Sequence, residues 1–132
     1  IAQLKSGMPV MVLLDNSKRV SNEKGIMALD AFSYEELLGI PILNKENACA
    51  IFESTIIHSM NLVGVQLEEG KAVRWKVLDS HGDRGNHGYF SMQDDFFDHY
   101  VFDVIIHKQF LSEEYLTLLE EKAEEIPVDY VM

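Results

Sequence analysis

The chain has 132 residues, of which 47% are hydrophobic, so it is long and apolar enough to bury the core of one domain. Acidic residues outnumber basic ones by 22 to 11, and the net charge of −11 excludes a nucleic-acid partner, whose binding depends on basic side chains that neutralise phosphates. The lack of a long apolar run excludes a membrane span, and the single cysteine, Cys49, excludes an internal disulfide and favours the cytoplasm.

The first part of the chain predicts one strand and two short helices. The apolar run over residues 9–14 predicts a buried strand, followed by a polar loop over residues 17–25. Ser33 is the expected cap of a helix that ends at residue 38, before Gly39. One or two helical turns are expected over residues 44–52.

The middle of the chain predicts a hairpin, in which β-rich runs over residues 55–66 and 72–79 are joined by a tight turn at Glu69-Gly70. The elements expected after it are a glycine-rich loop (82–86), a strand (88–92), a helical turn (94–98), a strand (100–107) and a helix from Ser112 to about residue 125. That helix has an apolar stripe of Leu116, Leu119 and Ala123, and Pro127 ends it. The sum is an α+β domain over residues 1–125, an antiparallel sheet with short helices, and a C-terminal arm over residues 126–132.

A two-residue turn fixes which hairpin residues oppose each other. The expected pairs are Gly64 with Trp75, Leu62 with Val77, Met60 with Asp79, and His58 with His81. His58 and Asp79 then lie on one face as diagonal neighbours, whereas a three-residue turn would place them on opposite faces. An imidazole and a carboxylate at the end of an apolar stripe suit a general base and its orienting partner, although a histidine bonded at the rim of a core has the same spacing.

Six segments, in order, resemble the bleomycin hydrolases and bacterial aminopeptidases C, which are papain-like cysteine peptidases. The IHSM of residues 57–60, followed by Gly64-Val65, resembles the THAM…GV stretch around the family's catalytic histidine. The RWKV of residues 74–77, followed by the DSHG of residues 79–82, resembles WRVENSWG. The other four are residues 85–92 (GKDGYFVMSD in the family), 96–101 (WFDEYVYEVVVD), 7–10 (GKPVWFGCDV) and 29–35 (LDLYDYE).

The resemblance implies the C-terminal, histidine-bearing half of such a peptidase, with a papain-like fold, a peptide substrate, no cofactor and a possible homohexamer. By the resemblance His58 is the catalytic base, Asp79 stands in the place of the triad asparagine, and His81 in the place of the tryptophan that shields the pair. Because aspartate is charged and histidine is smaller and wetter than tryptophan, both departures predict weakened or altered catalysis.

The family's nucleophilic cysteine is expected outside this chain. It opens a helix in a Gln…Cys-Trp context, whereas Cys49 lies in NACAI and is interpreted as a small buried hydrophobe. Because the nucleophile is missing, the chain alone is predicted to be inactive. The start at Ile1 suggests a piece of a longer polypeptide, although simple trimming of a terminus would look the same. The face around His58 is expected to be apolar and exposed until the missing N-terminal half, a partner chain or another copy covers it.

Three alternatives remain open at this point. The departures at Asp79 and His81 also suit a non-catalytic, peptide-binding pseudoenzyme. Asp79, His81, Asp83 and His87 are all metal-ligand types, but their spacing matches no common zinc or calcium loop, and no metal is expected. The acidic helix that follows Ser112 is a third alternative, as an interaction surface, although such charge is usually a solvated face.

The tail over residues 126–132 departs from the family's and leaves aminopeptidase or endopeptidase activity open.

Overall fold

A computed structural model describes residues 1–122, and its strands form one curled sheet. The strands are β1 (Val10–Leu14), β2 (Val20–Ser21), β3 (Ile26–Met27), β4 (His58–Glu68), β5 (Lys71–Leu78), β6 (Tyr89–Gln93) and β7 (Val101–Ile105). Their order across the sheet is β2-β3-β6-β5-β4-β1-β7. Neighbouring strands are antiparallel except β3 and β6, which are parallel, so the sheet is mixed and not purely antiparallel as predicted.

Short helices lie between the strands and at both ends of the sheet's sequence, which confirms the predicted α+β class. They are α1 (Ala2–Lys5), α2 (Tyr34–Leu38), α3 (Lys45–Ala50), α4 (Arg84–His87, kinked at Gly85 and Asn86), α5 (Asp94–Tyr100) and α6 (Glu113–Glu120), with a 3₁₀ turn at Lys108–Phe110. Within residues 1–122, none of the helices has the length and apolar character needed to cross a membrane.

Several predicted boundaries differ from the observed ones. The expected loop over residues 17–25 contains β2, which is too short to show an alternating pattern in the sequence. Helix α6 ends at Glu120 and not near residue 125, because Leu119 is 61% exposed and a short helix depends on packing for stability. Ala123, Pro127 and the predicted arm over residues 126–132 lie outside the described residues.

The predicted helix caps are confirmed in position but not in bonding. Ser33 and Ser112 precede α2 and α6, yet neither side chain makes a capping hydrogen bond. At α3, by contrast, the Asn44 side chain accepts a hydrogen bond of 2.8 Å from the Asn47 amide.

The hairpin has the predicted two-residue turn, with positive φ of 50° at Glu69 and 83° at Gly70. Its register departs from the prediction in the middle, where Gly64 pairs with Lys76 and not with Trp75. One extra residue in each strand, Val73 in β5 and Val63 in β4, shifts the pairing by one and then shifts it back. Leu62 therefore pairs with Val77 as predicted.

The inner face of the curled sheet holds the core. Its buried side chains come from six of the strands and from α5: Val10, Val12, Leu14, Met27, Met60, Leu62, Trp75, Val77, Phe90, Met92, Phe96, Tyr100 and Val101. Trp75 stacks on Phe97 with 4.9 Å between ring centroids, and its Nε1 donates a hydrogen bond of 2.7 Å to Asp94. Helix α5 thus closes the core on the side where the hairpin residues point inward.

Candidate functional site

His58 and Asp79 meet where the hairpin ends, since His58 is the first residue of β4 and Asp79 directly follows β5. The pairing of β4 with β5 stops at Asn61 with Leu78, so His58 and Asp79 lie beyond it, although His58 still pairs with Leu14 of β1. Both side chains keep the inward direction set by alternation along the strands. His58 Nε2 and Asp79 Oδ1 lie 2.8 Å apart. The structure therefore brings together the two side chains that the sequence had paired on one face.

Asp79 is the most buried member of the site, with a side chain only 3% exposed. Its Oδ1 accepts hydrogen bonds from His58, from the Ser80 amide at 2.8 Å and from His81 Nδ1 at 3.0 Å. Burial raises the pKa of Asp79, but the hydrogen bonds from His58, His81 and Ser80 outweigh it, so the net pKa lies below the ordinary value. The carboxylate is consequently ionised at neutral pH.

His81 lies against His58, with 4.7 Å between the ring centroids and an angle of 49° between the planes. The His81 side chain is 46% exposed and that of His58 is 17% exposed. His81 thus covers one side of the pair while remaining open to solvent.

The loop from Asp79 to Gly88 holds this arrangement through a close backbone contact. The Asp79 amide donates a hydrogen bond of 2.9 Å to the Gly88 carbonyl. Gly88 has a φ of 84°, and a Cβ there would lie 2.9 Å from the Gly82 carbonyl oxygen. Only glycine fits this position without displacing the backbone. The glycine in the loop sequence therefore fixes the backbone positions from which the Asp79 and His81 side chains project.

Asp15, directly after β1, is a buried polar residue that the sequence did not mark as part of the site. It accepts hydrogen bonds from the Ser17 hydroxyl at 2.6 Å, from the Ser17 amide at 2.9 Å and from the Ser54 hydroxyl at 2.8 Å. The Ile57 amide also bonds the Leu14 carbonyl at 3.1 Å. These bonds tie the segment before His58 to β1.

The electrostatics of Asp15 resemble those of Asp79. Burial raises the pKa of Asp15, but the hydrogen bonds from Ser17 and Ser54 and the charge of Lys18 outweigh it and lower the pKa overall. The sequence offers one signal for this residue: an acidic side chain directly after a buried strand, with a serine two positions later.

The expectation that the face around His58 is an exposed apolar surface is wrong for the hairpin stripe. Met60, Leu62, Trp75 and Val77 are at most 7% exposed, because other strands and α5 of the same chain cover them. The exposed apolar side chains that adjoin His58 in sequence are Ile56 and Ile57, at 43% and 54%.

Two further predictions from the sequence concern Cys49 and the four residues considered as metal ligands. Cys49 lies in α3 and is partly exposed instead of buried. Of the four ligand types considered for a metal, Asp79 and His81 share a cluster with His58, while Asp83 and His87 are not members of it.

Comparison with known proteins gives consistent matches along the chain. Residues 1–130 match the Peptidase C1-like family. The chain is 32% identical over 128 residues to aminopeptidase G of Lactobacillus delbrueckii subsp. lactis, a match that covers 96% of the chain and 29% of that protein. It is also 32% identical over 130 residues to bleomycin hydrolase of Gallus gallus, over 94% of the chain and 29% of that protein.

A solved structure shares the fold. The crystal structure of PepW from Lactobacillus rhamnosis HN001 superimposes with a TM-score of 0.85 and 31% identity, over 90% of this chain and 27% of that one. These matches confirm the predicted family and the papain-like fold. The chain spans 29% of the length of the curated relatives, which is less than the half expected from the sequence.

Proposed function

Because the chain belongs to the Peptidase C1-like family, we propose that it supplies the C-terminal, histidine-bearing part of a cysteine aminopeptidase that hydrolyses peptide bonds. His58 is the general base and acid, and Asp79 is its orienting partner. The observation that carries the proposal is the hydrogen bond of 2.8 Å between His58 Nε2 and Asp79 Oδ1. The names of the relatives, aminopeptidases and bleomycin hydrolases, indicate the class of reaction.

The ring orientation suggests how His58 would act. An ionised carboxylate only accepts hydrogen bonds, so the nitrogen facing Asp79 carries the proton. The other nitrogen, Nδ1, then holds the lone pair and takes the proton of an attacking thiol, which leaves a thiolate. After attack on the peptide carbonyl, the same nitrogen returns the proton to the leaving amine. The charge of Asp79 stabilises the imidazolium that exists between these two steps.

The nucleophile comes from outside this chain. Cys49 is the chain's single cysteine, and its surroundings lack the Gln…Cys-Trp context that the family resemblance implies for the nucleophile. The part of a longer polypeptide equivalent to the rest of the relatives' length, or a partner chain, supplies the thiol. The chain alone therefore cleaves no peptide. A cytoplasmic location and a homohexamer stay predictions.

The test is peptide hydrolysis by the longer polypeptide that carries this chain, measured with an aminoacyl fluorogenic substrate. His58→Ala should lower kcat by about 10²–10⁴-fold, the usual contribution of a positioned base. His87→Asn is the matched control, because His87 is an exposed histidine of the same loop region whose φ of 53° asparagine tolerates. Equal loss in both variants, or full activity in His58→Ala, would remove His58 from the mechanism.

A second candidate function is a peptide-binding module without catalysis. Asp79 and His81, at the places of an asparagine and a tryptophan in the resemblance, favour it. Sequence of the source polypeptide upstream of Ile1 discriminates, since a Gln…Cys-Trp motif there supports the enzyme. A long upstream region without such a cysteine supports the binding module.

A further inference from the structure

The cluster of His58, Asp79 and His81 has a property that peptide hydrolysis does not require. Both imidazole rings direct a nitrogen at the same carboxylate, His58 through Nε2 and His81 through Nδ1. We propose that these three side chains bind a divalent transition-metal ion of the zinc type. This site differs from the set of four residues considered from the sequence, because it includes His58 and omits Asp83 and His87.

The distances suit such an ion. The ligand atoms of the three residues all lie within 4.8 Å of one another. The two nitrogens are 2.8 Å and 3.0 Å from Asp79 Oδ1. In a tetrahedral zinc site with bonds of about 2.0–2.1 Å, ligand atoms are separated by about 3.3 Å. The histidine–carboxylate distances therefore need to lengthen by a few tenths of an ångström, whereas the two ring nitrogens, which lie within 4.8 Å of each other, need to approach by up to about 1.5 Å. The 46% exposure of the His81 side chain leaves that ring room for this movement.

The donor set selects the kind of metal. Two imidazoles and one carboxylate suit zinc, copper or nickel, whereas calcium and magnesium prefer sites made of oxygens. The carboxylate is ionised and held by the Ser80 amide at 2.8 Å, which fixes its direction. A water molecule from the solvent beside the exposed His81 ring would occupy the fourth coordination position of the ion.

Binding rearranges the protons without oxidation or loss of a group. In the metal-free site His58 Nε2 and His81 Nδ1 each carry a hydrogen that points at Asp79. When the ion enters, each neutral ring carries its hydrogen on the opposite nitrogen and offers a lone pair to the metal. His58 Nδ1 is then protonated, so a bound ion would block the base. This last consequence rests on the proposed function, while the metal site itself does not.

Zinc titration of the chain by isothermal calorimetry, after removal of metals with a chelator, tests the proposal. We expect one zinc per chain, and binding at least about tenfold weaker in His81→Ala, which removes an exposed side chain and should leave the fold intact. His87→Asn should bind zinc as the unmodified chain does. Far-UV circular dichroism and thermal unfolding without metal establish that the variants are folded.

Two results would overturn the metal site: no saturable zinc binding by the unmodified chain, or unchanged affinity in His81→Ala. Equal weakening in His87→Asn and His81→Ala would also contradict it, because it would place the ion elsewhere on the loop. None of these readouts uses peptide hydrolysis. A failure of the peptidase proposal thus leaves the zinc result decidable, and the reverse also holds.

Discussion

Asp79 is the residue on which both proposals depend, since one of its oxygens accepts hydrogen bonds from two imidazoles and a backbone amide. Asp79→Ala leaves these donors without their acceptor, in a place where the carboxylate was almost fully buried. We expect a loss of about 1.5–3 kcal/mol in the free energy of unfolding, measured by urea denaturation of the chain. A loss below about 0.5 kcal/mol would mean that water replaces the carboxylate.

Asp79→Asn separates charge from geometry. An asparagine oxygen still accepts a hydrogen bond from His58 Nε2, so the ring keeps its orientation. In the longer polypeptide, kcat should be at least about tenfold lower with Asp79→Ala than with Asp79→Asn, which corresponds to a difference of at least about 1.4 kcal/mol in the activation barrier. Equal kcat in the two variants would show that orientation by this side chain does not matter. Zinc affinity should fall in both, because an amide is a poorer ligand than a carboxylate.

The loop between β5 and β6 provides a prediction at the scale of an element. Gly88 and Gly82 have similar positive φ, 84° and 72°, but only at Gly88 would a Cβ meet the backbone, at 2.9 Å from the Gly82 oxygen. Both alanine variants bear the left-handed backbone cost of about 1–2 kcal/mol. Gly88→Ala should lose at least about 1 kcal/mol more than its control Gly82→Ala. Equal free energies of unfolding in Gly88→Ala and Gly82→Ala would show that the loop accommodates the added Cβ at Gly88 at no energetic cost.

Asp15 links the end of β1 to the segment before β4, and this link should depend on pH. Its pKa is lowered in the fold, so its contribution to stability is present above the ordinary aspartate pKa and is lost as pH falls through the lower, folded value. Between about pH 5 and pH 2, the unfolding free energy of the unmodified chain should therefore fall more steeply than that of Asp15→Asn. Parallel curves from urea denaturation at several pH values would contradict the assigned shift.

The hairpin illustrates how far the sequence predicts such elements. The Glu69-Gly70 turn is readable because a two-residue turn needs residues that accept positive φ, and it fixes Glu68 opposite Lys71. The extra residues Val63 and Val73 are not readable, since valines in a β-rich run look like any other strand residue. The proximity of His58 and Asp79 was predictable because the two shifts cancel before the strands reach these residues.

At the scale of the whole molecule, tertiary packing determines whether the apolar face of the hairpin is exposed, which the sequence pattern does not. The stripe formed by Met60, Leu62, Trp75 and Val77 was correctly expected on one face, but whether that face met solvent depended on β1, β6 and α5. The hydrogen bond that Ser54 donates to Asp15 is likewise not predictable from the sequence, because it joins residues 39 positions apart. The parallel contact of β3 with β6 has the same origin.

The whole chain, taken alone, is predicted to be an inactive folded unit. Purified chain should release no product from an aminoacyl fluorogenic substrate, because the chain's one cysteine lies in α3, without the context of a nucleophile. Cys49→Ala should then change nothing in the assay. Hydrolysis by the chain that disappears in Cys49→Ala would overturn the assignment of the nucleophile to another polypeptide segment.

The proposed role of His58 requires that Asp79 hold the ring with the hydrogen on Nε2 and the lone pair on Nδ1. Two-bond ¹H–¹⁵N correlation spectra of the metal-free chain, at a pH where the rings are neutral, report this directly, and His81 serves as an internal reference. We expect opposite tautomers, with the hydrogen on Nε2 in His58 and on Nδ1 in His81, as their contacts with Asp79 require. A His58 ring with its hydrogen on Nδ1 would rule out Nδ1 as the atom that takes the proton of the thiol.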